Sequence, residues 1–166
     1  MTEAPEIQLN RLLAERSGPT LGTAESCTGG TVASRIASIS GSSAYFLGSV
    51  VSYSNSVKHN VLGVSHAILE EKGAVSFECA RAMAAGARTL IGADIAVSTT
   101  GIAGPTGGTA RKPVGLVYIG IATPIWLEAF ELHFEGDRAR IIDQTAFHAL
   151  TYLLEAANQM VAAADR

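Results

Sequence analysis

Apolar residues recur along this chain at two periods, and the alternation between them outlines the architecture. From Asp137 to Ala164, the residues Ile142, Ala146, Ala149, Leu150, Leu153, Ala157, Met160 and Val161 fall three and four apart. That spacing is the stripe of one long helix, beginning just after Gly136. A second stripe follows Ser76, a good N-cap, through Ala80, Met83, Ala84, Ala87, Leu90 and Ile91. Shorter helices are predicted over 6–16, ended by Ser17-Gly18, and over 31–39. A looser helical stretch covers 56–62 and 65–72, with Gly63 and Gly73 as breakers.

Strand-like segments occupy 20–24, 45–53, 94–100, 114–122 and 125–134. The last two are separated only by Thr123-Pro124, and a connection that short forces them antiparallel. Strands alternating with helices predict one α/β domain over 1–166. It is expected to be three-layered, α/β/α, around a mixed, mostly parallel sheet of about five strands that includes the antiparallel hairpin.

Composition narrows this picture. Of 166 residues, 48% are hydrophobic and only 16% charged, against about 25% charged in an average domain. Disorder is excluded, because it requires low hydrophobicity and high charge. A net charge of −3 argues against wholesale nucleic-acid binding. The first residues carry no apolar leader-like core. The longest apolar run, 115–127, is interrupted by Pro124 and falls short of the ~20 residues of a membrane span. A cytoplasmic protein with no membrane partner is expected. Low charge in a small chain also fits a homo-oligomer. Cys27 and Cys79 make no disulfide framework, and the four histidines form no metal-binding spacing, so no metal is expected. The 17 glycines leave three explanations open: a core buried on both faces, a subunit interface, or binding loops built from backbone.

Four segments could carry chemistry. The turn Ala24-Glu-Ser-Cys-Thr-Gly-Gly30 joins a strand to a helix, where ligands collect in open α/β sheets and helix N–H groups face an anion or oxyanion. Either Ser26 or Cys27 could serve as nucleophile, and a capped turn with a core cysteine is the competing reading. In Tyr53-Ser-Asn-Ser-Val-Lys58, a desolvated Lys58 could act as base for a serine. Otherwise it is a surface lysine opening a helix. The loop Thr100-Gly-Ile-Ala-Gly-Pro-Thr-Gly-Gly108 is a candidate backbone cradle, but it has neither the P-loop ending nor GxGxxG spacing. Arg138, in Gly136-Asp-Arg138 at the start of the long helix, could hold a phosphate or be simply solvated.

Taken together these segments, with Gly41-Ser-Ser43, Gly73-Ala-Val-Ser76 and Lys112-Pro-Val-Gly115, resemble the CinA C-terminal domain family in its own order over nearly the whole chain. That family includes stand-alone nicotinamide mononucleotide (NMN) deamidases. The resemblance implies a Ser/Lys amidohydrolase of pyridine nucleotide salvage that converts NMN to nicotinic acid mononucleotide and ammonia and needs no cofactor. Its small-molecule partner would be a pyridine mononucleotide.

Carried over by position, Ser26 is implied as nucleophile, Lys58 as general base and Tyr53 as an assisting hydroxyl. Thr28, Gly29, Gly30, Thr100, Gly101, Gly104 and Arg138 are implied as substrate-binding, with amides of Thr28 to Gly30 as the expected oxyanion hole. Many relatives carry a further arginine where this chain has Ile142-Asp143. The upstream domain of longer relatives, with any pyrophosphatase activity, is expected to be absent. The rival readings are a non-catalytic CinA-like binding or assembly module and, more distantly, a short-chain oxidoreductase. The order of the glycine loop and the Tyr53/Lys58 pair argues against the oxidoreductase.

Overall fold

The computed structural model describes residues 3–166. Five strands form one sheet: β1 (Leu21–Glu25), β2 (Phe46–Val51), β3 (Ile95–Gly101), β4 (Leu116–Ala122) and β5 (Leu127–His133). Their spatial order is β2-β1-β3-β4-β5. β1 pairs in parallel with β2 and with β3, whereas β3–β4 and β4–β5 are antiparallel. The sheet is mixed as expected, but its pairings divide evenly. A second reversal arises because the segment after β3 returns on itself, with Ile102 N–H donating to Leu116 C=O at 2.9 Å and Gly115 N–H to Ile102 C=O at 2.8 Å.

The central strands β1, β3 and β4 are buried almost throughout, while β2 and β5 alternate. A strand covered on both faces must be apolar on both, whereas an edge strand buries one face and solvates the other. On one face lie α1 (Pro5–Leu13), α2 (Thr31–Ala37) and α6 (Arg138–Ala164). The other carries α5 (Phe77–Ile91), with the short α3 (Asn55–Asn60) and α4 (His66–Glu71) beside it. The main core lies beneath α6, where Leu150 and Leu153 meet Ile95, Ile119 and Ile121.

Two details of the stripes shift. Ile141 rather than Ile142 takes the core position at the start of α6, because Thr145 and Ala149 continue the buried face from it. Leu90, expected on the buried face of α5, is 56% exposed. In that last turn Ile91 instead closes over Gly22, where an added Cβ would lie 3.0 Å from its Cδ1.

Ser76 caps α5 as predicted, accepting from Cys79 N–H at 3.1 Å. The helix presses closely on the sheet: a Cβ on Gly120 of β4 would lie 2.3 Å from Ala80 C=O, and Ser98 Oγ donates to that same carbonyl at 2.6 Å. Glycine is required there by contact, since any side chain would collide with helix backbone. No described helix is long and apolar enough to cross a membrane.

Candidate active site

β1 ends at Glu25, so Ser26 emerges at the carboxyl end of a central strand, fixed by its own N–H donating to Thr99 C=O of β3 at 2.9 Å. β2 ends one strand over, and Ser54 then caps α3 by accepting from Val57 N–H. Lys58 is the fourth residue of that helix, which places it one turn in and facing the sheet. Parallel pairing of β1 with β2 brings both ends to the same edge of the sheet. Thirty-two residues apart in sequence, Ser26 and Lys58 therefore meet: Lys58 Nζ lies 2.9 Å from Ser26 Oγ.

The surroundings of this amine determine its chemistry. Lys58 is 1% exposed, and among the described residues no carboxylate pairs with it. Its other partners are the carbonyls of Ser52 at 2.7 Å and Tyr53 at 3.3 Å. Burial lowers its pKa from the usual lysine range, because a desolvated ammonium has lost its hydration without gaining a counter-ion. A neutral amine has two N–H donors and one lone pair. As the ammonium, Nζ donates to Ser26 Oγ and to both carbonyls; once it has given up one proton and its two remaining N–H bonds go to Ser52 and Tyr53, the lone pair is left for the hydroxyl proton of Ser26.

Cys27 is buried, and desolvation pushes its thiol up to about 12. It is therefore a thiol rather than a thiolate at neutral pH, and only a thiolate is a competent sulfur nucleophile. Between the two candidates at this turn, the geometry favours Ser26.

A cavity of about 220 Å³ opens beside the pair. Its floor is Ser26, Cys27 and Lys58, and its walls include Tyr53, Asn55, Ala74, Val75, Thr100, Gly101, Ala103 and Arg138. A larger depression of about 470 Å³ lies around Gly18, Asp94 and Val161. It contains no nucleophile beside a base, so chemistry rather than size selects the smaller cavity. None of the four histidines lines it. Among the described residues no three His, Cys, Asp or Glu side chains are grouped as metal ligands would be.

The other expected site residues divide. Thr100 and Gly101 line the cavity, and Thr100 Oγ1 donates to Ala74 C=O at 2.7 Å, tying two walls together. Arg138 lines it as well, but its guanidinium is already engaged, donating from Nη1 to Gly104 C=O at 2.8 Å and from Nη2 to the Tyr53 hydroxyl at 2.9 Å. Gly104 thus contributes through its carbonyl and does not itself line the cavity. Tyr53 is 61% exposed; its backbone carbonyl reaches Lys58, whereas its hydroxyl points to Arg138 and makes no bond to the pair.

Thr28, Gly29 and Gly30 lie outside the lining. Gly29 N–H donates back to Ser26 C=O at 3.1 Å, and Gly30 N–H to Glu25 Oε1 at 3.2 Å. Two of the three amides expected to form an oxyanion hole are therefore spent inside the turn. The amides of Cys27 and Thr28 donate to no backbone carbonyl among the described residues. Gly30, at φ +107°, is the left-handed residue that turns the chain into α2.

Sequence reasoning missed Glu25, Asn55, Ala74 and Val75. Asn55 and the Gly73–Ser76 segment stood inside motifs already singled out. Glu25 carried a signal of its own: a carboxylate ending an otherwise apolar buried strand has to find several donors.

The model of the CinA C-terminal domain matches residues 3–157. A CinA-like protein of Geotalea uraniireducens (strain Rf4) is 55% identical over 141 residues, which are 85% of this chain and 34% of that protein. A putative competence-damage inducible protein of Thermoanaerobacter sp. (strain X514) is 51% identical over 138 residues, 83% of this chain and 33% of its own length. The chain spans about a third of the length of these relatives. Among solved structures, the competence/damage inducible protein CihA from Agrobacterium tumefaciens superposes with a TM-score of 0.87 at 38% identity, covering 95% of this chain and 99% of that one. A CinA superfamily protein from Klebsiella pneumoniae 700603 gives 0.88 at 35% identity, covering 93% and 96%. The chain belongs to the CinA C-terminal domain family.

Proposed function

We propose that this domain is an amidohydrolase that uses Ser26 and Lys58 to convert NMN to nicotinic acid mononucleotide and ammonia. The observation that carries the reading is the Lys58 amine, buried without a counter-ion 2.9 Å from Ser26 Oγ, with two carbonyls occupying its N–H groups. Such an amine is a base poised for one proton, that of the serine. The substrate class follows from the family resemblance.

In the first step Ser26 Oγ attacks the carboxamide carbon as its proton passes to Lys58. The resulting oxyanion is met by the amide of Cys27, the turn residue that lines the cavity beside Ser26. Collapse breaks the C–N bond, Lys58 returns the proton to the departing nitrogen, and ammonia leaves with an acyl ester on Ser26. Water then attacks the ester, giving a proton to Lys58; collapse breaks the ester C–O bond as Lys58 passes that proton to Ser26 Oγ, and the acid product leaves as the carboxylate after losing its proton to solvent. No metal or organic cofactor enters these steps. Arg138, at the cavity wall beside Tyr53, is the proposed partner of the substrate phosphate, by charge and by its planar donors.

Ammonia release from NMN by the purified protein tests this directly. Turnover that Ser26→Ala abolishes is expected. No turnover between pH 6 and 9 would remove the amidase reading in favour of a non-catalytic binding module.

A further inference from the structure

Glu25 is 0% exposed, and no cation pairs with it among the described residues. Its charge is satisfied by the turn that follows it. Oε1 accepts from Thr28 Oγ1 at 2.6 Å, from Gly30 N–H at 3.2 Å and from Val32 N–H at 2.9 Å, while Oε2 accepts from Ala33 N–H at 2.9 Å. A carboxylate can only accept, so the single proton of the Thr28 hydroxyl is committed to it. The 2.7 Å contact between Thr28 Oγ1 and Thr99 Oγ1 must then be donated by Thr99. A directed chain runs from β3 through Thr28 to Glu25, and it encloses residues 26–30.

The backbone of Glu25 reaches the other half of the pair. Its carbonyl accepts from Ser52 N–H at 2.8 Å, and the Ser52 carbonyl accepts from Lys58 Nζ at 2.7 Å. One residue therefore braces both the turn presenting Ser26 and the strand end receiving Lys58.

We propose that Glu25 is a positioning residue for the Ser26–Lys58 pair. By taking the Gly30, Val32 and Ala33 amides and the Thr28 hydroxyl, its carboxylate holds the turn that carries Ser26 and the Cys27 amide at the cavity floor. The inference rests on Ser26 being the nucleophile.

The test uses Glu25→Gln, which keeps size and one carbonyl acceptor but sets an NH2 group against the amides now bonded. Ser26 is labelled with a fluorophosphonate, whose tetrahedral adduct places an oxygen where the oxyanion would lie, and the rate is followed across pH. Circular dichroism confirms the fold. The expected result is a rate lower by about tenfold or more, as for weakened oxyanion donors, with the pH midpoint unmoved because Lys58 keeps its surroundings. A smaller loss, or a moved midpoint, overturns the proposal.

If Glu25→Gln does not fold, Thr28→Val, which cuts the link to Thr99, decides in its place. It should slow labelling by about fivefold or more, the scale of one buried hydrogen bond, and a smaller loss overturns the proposal. Wild-type protein that resists labelling at Ser26 overturns it too. Ammonia release from NMN, measured alongside, judges the amidase reading separately. Labelling without turnover removes that reading and leaves Glu25 to be judged by the labelling ratio.

Discussion

Lys58→Met separates the chemistry of the buried amine from its structural part. Methionine preserves the unbranched stem and fills a similar space, so the packing around the buried stem is kept. Two carbonyls, of Ser52 and Tyr53, lose a donor, and each unsatisfied buried acceptor costs about 1–3 kcal/mol. Against this, the substitution removes an amine whose charged form is penalised by burial. The two act in opposite directions, so the loss of stability should stay below the about 2–6 kcal/mol that two orphaned carbonyls alone would cost. Activity should respond differently. A positioned general base contributes about 10²–10⁴-fold, or about 3–5 kcal/mol of barrier, so kcat should fall by that factor in a folded protein.

The pH profile provides a second readout. Protonated Lys58 cannot accept the Ser26 proton, so wild-type kcat/KM should fall as pH drops through the lowered pKa of this lysine. The same shift makes the unfolded chain bind more protons between the native pKa and the ordinary lysine value. Stability therefore rises with pH across that window. Lys58→Met should lose both the ascending limb of activity and this rise in stability. Stopped ammonia assays from pH 6 to 10 and thermal melts over the same range measure them. Turnover within tenfold of wild type, or an ascending limb that survives unchanged, refutes the assignment of Lys58 as base.

Cys27→Ala should keep turnover within a few-fold of wild type, because a thiol pushed up to about 12 supplies no nucleophile; its loss of stability, about 1–2 kcal/mol for a small buried side chain, is read by urea denaturation. Arg138→Ala should raise KM for NMN by about tenfold, the worth of one charge-assisted contact, with a smaller change for nicotinamide riboside; equal changes for the two would move the phosphate contact elsewhere. Gly120→Ala should destabilise the fold by about 1–3 kcal/mol through overpacking, since its Cβ would lie 2.3 Å from the Ala80 carbonyl; a wild-type Tm would show that α5 can retreat from the sheet without cost.

Most elements were legible in the chain because burial leaves a one-dimensional record. The α6 and α5 stripes, the cap at Ser76, and the hairpin across Thr123-Pro124 follow from period, capping and loop length alone. So did the two halves of the candidate pair, each beginning where a strand gives way to a helix. The concentration of glycine in the 26–30 and 101–108 segments likewise pointed to backbone-built loops.

Tertiary structure decided what faces what. Periodicity says that a residue is buried but not against which neighbour, so the even split of parallel and antiparallel pairings, and the reversal between β3 and β4, emerge only once distant segments pair. The same holds within the site. Ser26 and Lys58 become partners because β1 and β2 run parallel and end together. The Tyr53 hydroxyl goes to Arg138, 85 residues away, and of the turn amides expected for the oxyanion, that of Gly30 goes to Glu25 and that of Gly29 to the Ser26 carbonyl. A hydrogen bond depends on distance and direction between atoms, and those are fixed by the fold as a whole rather than by any local stretch of residues.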